Sequence, residues 1–252
     1  MSSNKQFEFT NNNIDTFLKD LAKEYRKHSS KTMPAELIIV GGASVLINYH
    51  FRNMTTDIDA LIYSSSAMKE AINTVGDKHG LPNGWLNADF VKTASYSEKL
   101  SQYSIYHKTY SNIVTVRTIA SEYLIVMKLR SGRQYKNDLS DIVGILAEHK
   151  KQERPITIEQ IKKATIELYG DWLSLPDTSR AFIENVMIDG QFEHLYSLIE
   201  RGEQETKELL VRFEKDYSDI ESISNANQIA ESLQSKSNKA SILADLRKKQ
   251  LP

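Results

Sequence analysis

Residues 37–63, LIIVGGASVLINYHFRNMTTDIDALIY, constrain this chain more than any other stretch of it. They predict an apolar strand, a Gly-Gly turn, an apolar helix, a polar loop and a second strand that carries Asp57 and Asp59. Because side chains alternate along a strand, the two aspartates point to the same face. Two carboxylates beside a glycine turn that opens a helix indicate a site for a divalent metal and phosphate.

The turn consists of Gly41 and Gly42, followed by Ala43 and Ser44. Glycine lets the backbone approach a phosphate closely, and the amides at a helix N-terminus favour an anion. Ser44 offers a hydroxyl donor as well. The alternative is a tight strand-to-helix connection that binds no ligand.

The acidic pair also has two interpretations. Aspartates at the start of a strand can simply be solvated or cap a neighbour, but Asp59 lies within an otherwise apolar strand. A buried carboxylate is costly unless it is paired or bound to metal. Two carboxylates can hold one or two Mg²⁺ ions, with nucleotide phosphates completing the coordination. Asp89 is the nearest candidate for a third carboxylate, and it is equally suited to a loop or a cap.

Composition excludes several classes of protein. The 252 residues include no cysteine, so disulfides, thiol nucleophiles and zinc-thiolate sites are ruled out. Lys plus Arg (32) nearly balances Asp plus Glu (33), which gives no global attraction to nucleic acid, although a local basic patch stays open. The polar start and the lack of a long apolar run indicate a cytoplasmic enzyme or binding protein without a signal peptide or membrane span.

Periodicity predicts the remaining elements. Strands are expected at residues 36–40, 57–63 and 112–117, with one or two short segments lying over the sheet at 96–110. Helices are expected at residues 12–28, 67–79, 120–130, about 135–149, 157–169, 178–187, 192–199 and 207–217. The first helix has an apolar stripe, and Thr157-Ile158-Glu159-Gln160 predicts a capping box. The four consecutive apolar residues 37–40 predict a strand buried on both faces. The stripe consists of Ile14, Phe17, Leu18, Leu21 and Tyr25. The charged segment 150–155 is the best domain boundary. The tail, residues 221–252, suits either a loosely packed amphipathic helix or a partner-docking segment.

Lys128 interrupts the apolar run of residues 123–129. A lysine that emerges from a packed helix toward carboxylates would suit the neutralisation of phosphate charge. The alternative is that the charges of this helix form an ordinary solvated face.

Taken in order, Gly41-Gly42-x-Ser44 and Thr56-Asp57-Ile58-Asp59 resemble the signature of the nucleotidyltransferase fold. The downstream pattern is similar to the minimal bacterial branch that includes the abortive-infection type IV toxins. Residues 80–87 also resemble a stretch of uncharacterised bacterial members of that branch. The resemblance covers residues 14–149, and its downstream pattern consists of Lys128, Arg133, Lys136, Asp138 and Asp141.

The resemblance implies an α/β (α+β) fold, in which a small mixed sheet flanked by helices is followed by a helical C-terminal region. Residues 1–150 would form the nucleotidyltransferase-like domain, and residues 151–252 the helical region. The implied reaction transfers a nucleoside monophosphate from an NTP to a hydroxyl of RNA, protein or a small molecule. Partners would be the NTP, that acceptor and an antitoxin protein, with neither membrane nor DNA expected.

The resemblance also implies roles for single residues. Asp57 and Asp59 would be catalytic and hold Mg²⁺ or Mn²⁺, with Asp89 as a third metal ligand. Lys128 and Asp141 would be catalytic too, and nucleotide-binding residues would be Gly41, Gly42, Ser44, Thr56 and Arg133. One departure is that residues 112–117 lack the third carboxylate of many active members. A nucleotide-binding or interaction protein without turnover is therefore the alternative.

Overall fold

The computed structural model describes residues 7–29, 33–132 and 137–216. Arg133, Lys136 and the predicted tail lie outside these residues. The described helices are α1 (Ile14–His28), α2 (Gly41–Asn48), α3 (Ala67–His79), α4 (Ser121–Ser131), α5 (Asp138–Lys151), α6 (Ile158–Tyr169), α7 (Asp177–Asp189) and α8 (Phe192–Asp216). Short 3₁₀ turns lie at Asp89–Lys92, Glu98–Tyr103 and Trp172–Ser174.

Five strands form one mixed sheet. They are β1 (Ala35–Ile39), β2 (Ile58–Tyr63), β3 (Leu86–Asn87), β4 (Ser104–Tyr110) and β5 (Val114–Ile119), in the spatial order β3-β2-β1-β5-β4. The central strand β1 pairs antiparallel with β2 and parallel with β5. Parallel pairing brings the ends of β1 and β5 to the same edge, and β2 begins there.

Both faces of the sheet are covered by apolar side chains. Leu37 and Ile39 face the cluster formed with α1 and α3, whereas Ile38 and Val40 face a second cluster formed with α4, α5, α6 and α7. This arrangement confirms the expectation that four consecutive apolar residues form a strand buried on both sides. The predicted fold class, a small mixed sheet flanked by helices and followed by a helical C-terminal region, is confirmed.

Local signals account for several helix boundaries. In α1 the predicted apolar stripe is buried: Ile14, Phe17, Leu18, Leu21 and Tyr25. Thr157 and Gln160 form the predicted capping box at the start of α6, because each side chain accepts a hydrogen bond from the other residue's backbone amide. Helix α3 ends at His79 as predicted, where Gly80 takes the left-handed conformation.

The prediction for residues 96–110 was wrong in part. Residues 104–110 join the sheet as its edge strand β4 and do not lie over it. Five consecutive residues of β4 are exposed, so the apolar alternation that identifies a half-buried strand is missing. Strand β5 also begins later than predicted, because Ser111 and Asn112 adopt positive φ in the turn between β4 and β5.

The prediction of two helices at residues 192–199 and 207–217 was also wrong. Helix α8 runs without interruption, and Gly202 lies inside it. Packing of α8 against α5 stabilises the helix through this point, since Glu203 and Thr206 are both buried. Tertiary contacts commonly override the low helix propensity of a single glycine.

Among the described helices, none combines the length and the apolarity needed to cross a bilayer.

Candidate active site

The predicted acidic pair lies at the start of β2. Asp59 shares a strand face with Leu61, which packs into the cluster on the α4 side, while Ile58 and Ala60 pack on the other side. Asp57 immediately precedes the strand and is exposed, and Asp59 is half-buried. The predicted alternation is therefore confirmed within β2, from Ile58 to Leu61, whereas the shared face of Asp57 and Asp59 stays a prediction. Thr56, between Asp57 and the buried Thr55, is half-buried as well.

The Gly-Gly turn lies directly beside Asp59. The Val40 amide donates to the Asp59 carbonyl at 2.9 Å, so the end of β1 and the start of β2 meet here. Gly41 has φ +60°, a left-handed value that favours glycine, and a Cβ built on it would lie 3.7 Å from Asp59 Oδ2. Helix α2 begins at Gly41 without a side-chain cap, and the first amides of a helix lack partners within it.

Ser44 is directed into the protein. Its side chain is fully buried, and its Oγ accepts a hydrogen bond from the Ile119 amide at 3.3 Å. The hydroxyl that the sequence offers as a phosphate donor thus joins α2 to the end of β5. This contact keeps the ends of β1 and β5 in register on that edge of the sheet.

A buried network of charges lies behind the turn. Lys128 Nζ is 2.6 Å from Asp141 Oδ2 and 3.0 Å from Asp138 Oδ1, and Arg52 also pairs with Asp141 through Nη1 and Oδ2. Two positive and two negative side chains therefore compensate one another, as burial of charge requires. Lys128 does emerge from its packed helix toward carboxylates, but they are those of α5 and not Asp57 and Asp59.

Glu203 of α8 completes this region. Its Oε1 accepts from the Leu139 amide at 2.9 Å and from the Ser140 amide at 3.2 Å, both in the first turn of α5. Its Oε2 is buried, and no hydrogen-bond partner for it lies among the described residues. Burial, helped by the nearby Asp141, raises the pKa of Glu203 to about 7.

Comparison with known proteins decides the family. The model of a family described as a nucleotidyltransferase of unknown function (DUF6036) matches residues 16–149, which are 134 of the 252 residues. The chain belongs to this nucleotidyltransferase family. Membership implies NTP binding and a role in nucleotidyl transfer. No curated protein and no solved structure matches the chain.

The predicted third metal ligand is not grouped with the acidic pair. Asn87 of β3 is opposite Asp59, but Asp89 lies beyond the strand, is exposed and pairs with Lys92 at 2.8 Å. Within residues 7–29, 33–132 and 137–216, no three histidine, cysteine, aspartate or glutamate side chains are placed to hold a metal together. The structure thus places Asp59 beside the glycine turn, with Asp57 two positions earlier in the chain, and it does not group Asp89 with them.

Sequence reasoning missed three contributors to the region of the candidate site. They are Arg52, Asp138 as an ion-pair partner of Lys128, and Glu203. Arg52 lies in a polar loop and Asp138 at the charged start of α5, and neither local pattern indicates burial. Arg52 and its partner Asp141 are also 89 positions apart in the sequence. For Glu203 the neighbouring residues 200–208 are charged, polar or glycine, so the local sequence gives no sign of burial.

Proposed function

We propose that this nucleotidyltransferase transfers a nucleoside monophosphate from an NTP to an acceptor hydroxyl. The acceptor hydroxyl releases its proton to solvent as its oxygen attacks the α-phosphorus, the bond from the α-phosphorus to the bridging oxygen breaks, and pyrophosphate leaves. The acceptor class is RNA, protein or a small molecule. Family membership supports nucleotidyl transfer, and the geometry of the turn supports the assignment of the residues.

The observation that carries the proposal is the contact between Gly41 and Asp59. The left-handed turn, the uncapped start of α2 and a carboxylate within 3.7 Å of the Gly41 Cβ position lie at one point of the molecule. Amides there are suited to bind phosphate oxygens, while Asp59 and Asp57 supply negative charge for a metal-bound triphosphate. Such chemistry depends chiefly on positioning and on neutralisation of charge.

Asp57 and Asp59 fit Mg²⁺ or Mn²⁺ as ligands. Both are oxygen donors that retain exposure, and Mg²⁺ commonly binds one or two carboxylates, with water and substrate phosphates as further ligands. When bound, the ion supplies neutralisation of phosphate charge. Asp57 and Asp59 hold it, and Gly41, Gly42 and Thr56 surround the phosphates. Lys128 and Asp141 are buried and already paired with each other, so their role in the site is to support the turn through Arg52.

A non-catalytic nucleotide-binding protein is the second candidate. The observation that favours it is that the described residues contain no group of three histidine, cysteine, aspartate or glutamate side chains that could hold a metal. Such a protein would bind NTP with Mg²⁺ and leave every acceptor unlabelled. Resemblance to the abortive-infection branch extends the first candidate to the toxin of a toxin–antitoxin pair, which predicts growth arrest when the chain is expressed.

The test of transfer is incubation with each α-³²P-labelled NTP and Mg²⁺, together with total RNA and cell extract. We expect label in RNA, protein or a small acceptor, and its loss in Asp57→Asn and in Asp59→Asn. Either substitution removes a negative charge at the turn and keeps the shape of the side chain. Circular dichroism and thermal unfolding should match the wild type.

The matched control is Asp77→Asn, an exposed aspartate on α3. It changes the same charge on the same residue type away from the turn, so it should transfer label at the wild-type rate. Full activity in Asp59→Asn would refute the metal assignment. Mg²⁺-dependent NTP binding without any labelling would favour the non-catalytic candidate.

A further inference from the structure

Arg52 lies in the loop that joins α2 to β2, with its guanidinium turned inward. Its Nε donates to the Met54 carbonyl at 3.0 Å, and its Nη1 pairs with Asp141 Oδ2. Only 14% of the side chain is exposed. Two of the three guanidinium nitrogens are thus held, one by the loop and one by α5. Because the guanidinium is planar, the position of the third nitrogen, Nη2, is then fixed as well.

The third nitrogen lies against the phosphate-binding turn. A Cβ built on Gly42 would be 2.8 Å from Arg52 Nη2 and 3.0 Å from Thr55 Oγ1, a distance at which something must shift. Gly42 does not have the left-handed φ that Gly41 has. The reason for glycine at position 42 is therefore space, and the group that occupies this space is the Arg52 guanidinium.

Arg52 is itself held in place by Asp141 of helix α5. Asp141 also binds Lys128 Nζ at 2.6 Å, so the carboxylate cannot follow a movement of Arg52 without breaking a second ion pair. The first turn of α5, which carries Asp141, is held by Glu203 of α8. Contacts therefore run continuously from α8 through α5 to Arg52 and the backbone of Gly42.

We propose that Arg52 is a positioning residue that sets the place of the Gly41-Gly42 turn for the triphosphate. The inference rests on the proposed function. A planar guanidinium makes two directed contacts and places its third nitrogen against Gly42, whereas a lysine at this site retains the ion pair with Asp141 and loses the other two contacts. Arg52 acts through the turn and through Asp141, and it need not touch the nucleotide.

The test measures Mg²⁺-dependent binding of trinitrophenyl-ATP, and its displacement by each of the four NTPs, for wild type, Arg52→Gln and Arg52→Lys. Loss of these charge-assisted contacts should weaken nucleotide affinity by about tenfold or more in Arg52→Gln. Arg52→Lys should recover part of the affinity. In the labelling assay, KM for NTP should rise more than kcat falls, because the turn binds the triphosphate and the acidic pair is unchanged.

Arg26→Gln is the matched control. Arg26 lies on α1 and donates to the Ser111 carbonyl, just before β5. Because β1 and β5 are parallel, this contact lies at the opposite end of the strand pair from the Gly41-Gly42 turn. Its loss should therefore leave nucleotide affinity unchanged. A second readout needs no nucleotide. Gly42→Ala should lower the unfolding temperature in the wild-type background and lower it less in Arg52→Gln, since the clash with Nη2 is then gone.

The outcomes separate the two proposals. If wild type binds no NTP, the proposed function fails, and the role of Arg52 toward the triphosphate fails with it. If wild type binds NTP and folded Arg52→Gln binds it equally tightly, the positioning role alone is overturned. Equal effects of Gly42→Ala in both backgrounds would likewise overturn it, because the contact would then not constrain the turn.

Discussion

At the scale of single residues, three glycines serve this site region for different physical reasons. Gly41 supplies a left-handed φ, whereas Gly42 and Gly144 supply space. A Cβ built on Gly144 would be 2.5 Å from Phe51 Cε2, so helix α5 approaches the α2–β2 loop as closely as its backbone allows. The Phe51 ring cannot easily yield, because it packs between Tyr49 and Tyr196 with centroid distances of 5.6 and 5.5 Å.

We expect Gly144→Ala to destabilise the protein by about 1–3 kcal/mol through overpacking against Phe51. The measurement is the free energy of unfolding in urea. Gly202→Ala is the control, since it also lies inside a helix but meets nothing within 4 Å. It should stabilise by up to about 1 kcal/mol through helix propensity. If both substitutions raised the free energy of unfolding, or both lowered it, the assigned contact between Gly144 and Phe51 would be contradicted.

At the scale of elements, the first turn of α5 is the junction between the sheet and the C-terminal helices. Asp138 and Asp141 reach from it to Lys128 of α4, and Glu203 of α8 binds two of its amides. Helix starts leave amides that need acceptors, so a buried carboxyl at this point meets a real requirement. The second oxygen of Glu203 is buried and has no hydrogen-bond partner in the described part of the chain, which makes ionisation costly.

Glu203 should therefore make stability depend on pH. The pKa of Glu203 is raised from 4.5 to about 7, so between these values the folded protein binds more protons than the unfolded chain. The contribution of Glu203 to the free energy of unfolding is full below pH 4.5 and is lost as pH rises through 7. The total loss is about 3 kcal/mol at most. Urea unfolding between pH 4.5 and 8 measures this loss.

Glu203→Gln should remove that part of the pH dependence, because the amide stays neutral and its oxygen can still accept from both α5 amides. Glu205→Gln, an exposed neighbour on α8, is the control and should retain the wild-type slope. A stability profile that stays unchanged in Glu203→Gln would show that this carboxyl titrates as it does in the unfolded chain.

At the scale of the whole molecule, the apolar core continues across the predicted boundary at residue 150. One cluster contains Leu124 of α4 and Ile142 of α5 together with Ile161 of α6 and Ile183 of α7. The division into residues 1–150 and 151–252 stays a prediction. The shared core indicates that the two regions depend on each other for burial.

We accordingly expect the chain to unfold in a single transition, with calorimetric and van't Hoff enthalpies in agreement. Ile161→Ala should lower the stability of the whole protein by about 2–5 kcal/mol without splitting the transition. Ile188→Ala, at a position that is 83% exposed, should leave it unchanged. Two separate transitions, only one of them shifted by Ile161→Ala, would indicate an independent C-terminal domain.

Much of the fold follows from local patterns. The doubly buried β1, the amphipathic α1, the capping box at Thr157 and the end of α3 were all predicted, because each depends on neighbours in sequence. The edge strand β4 and the continuous α8 were not. Exposure of β4 removes its periodic signal, and packing against α5 maintains α8 through Gly202.

By itself, the sequence determined that a glycine turn lies beside the start of the strand that carries Asp59, since strand alternation and a short connection leave little choice. Only the tertiary structure decided where the other charged and polar side chains point. Ser44 binds the Ile119 amide, Lys128 binds two aspartates and Arg52 lies against Gly42. These contacts join residues distant in sequence, and a buried charge must pair with whichever opposite charge the packing brings to it.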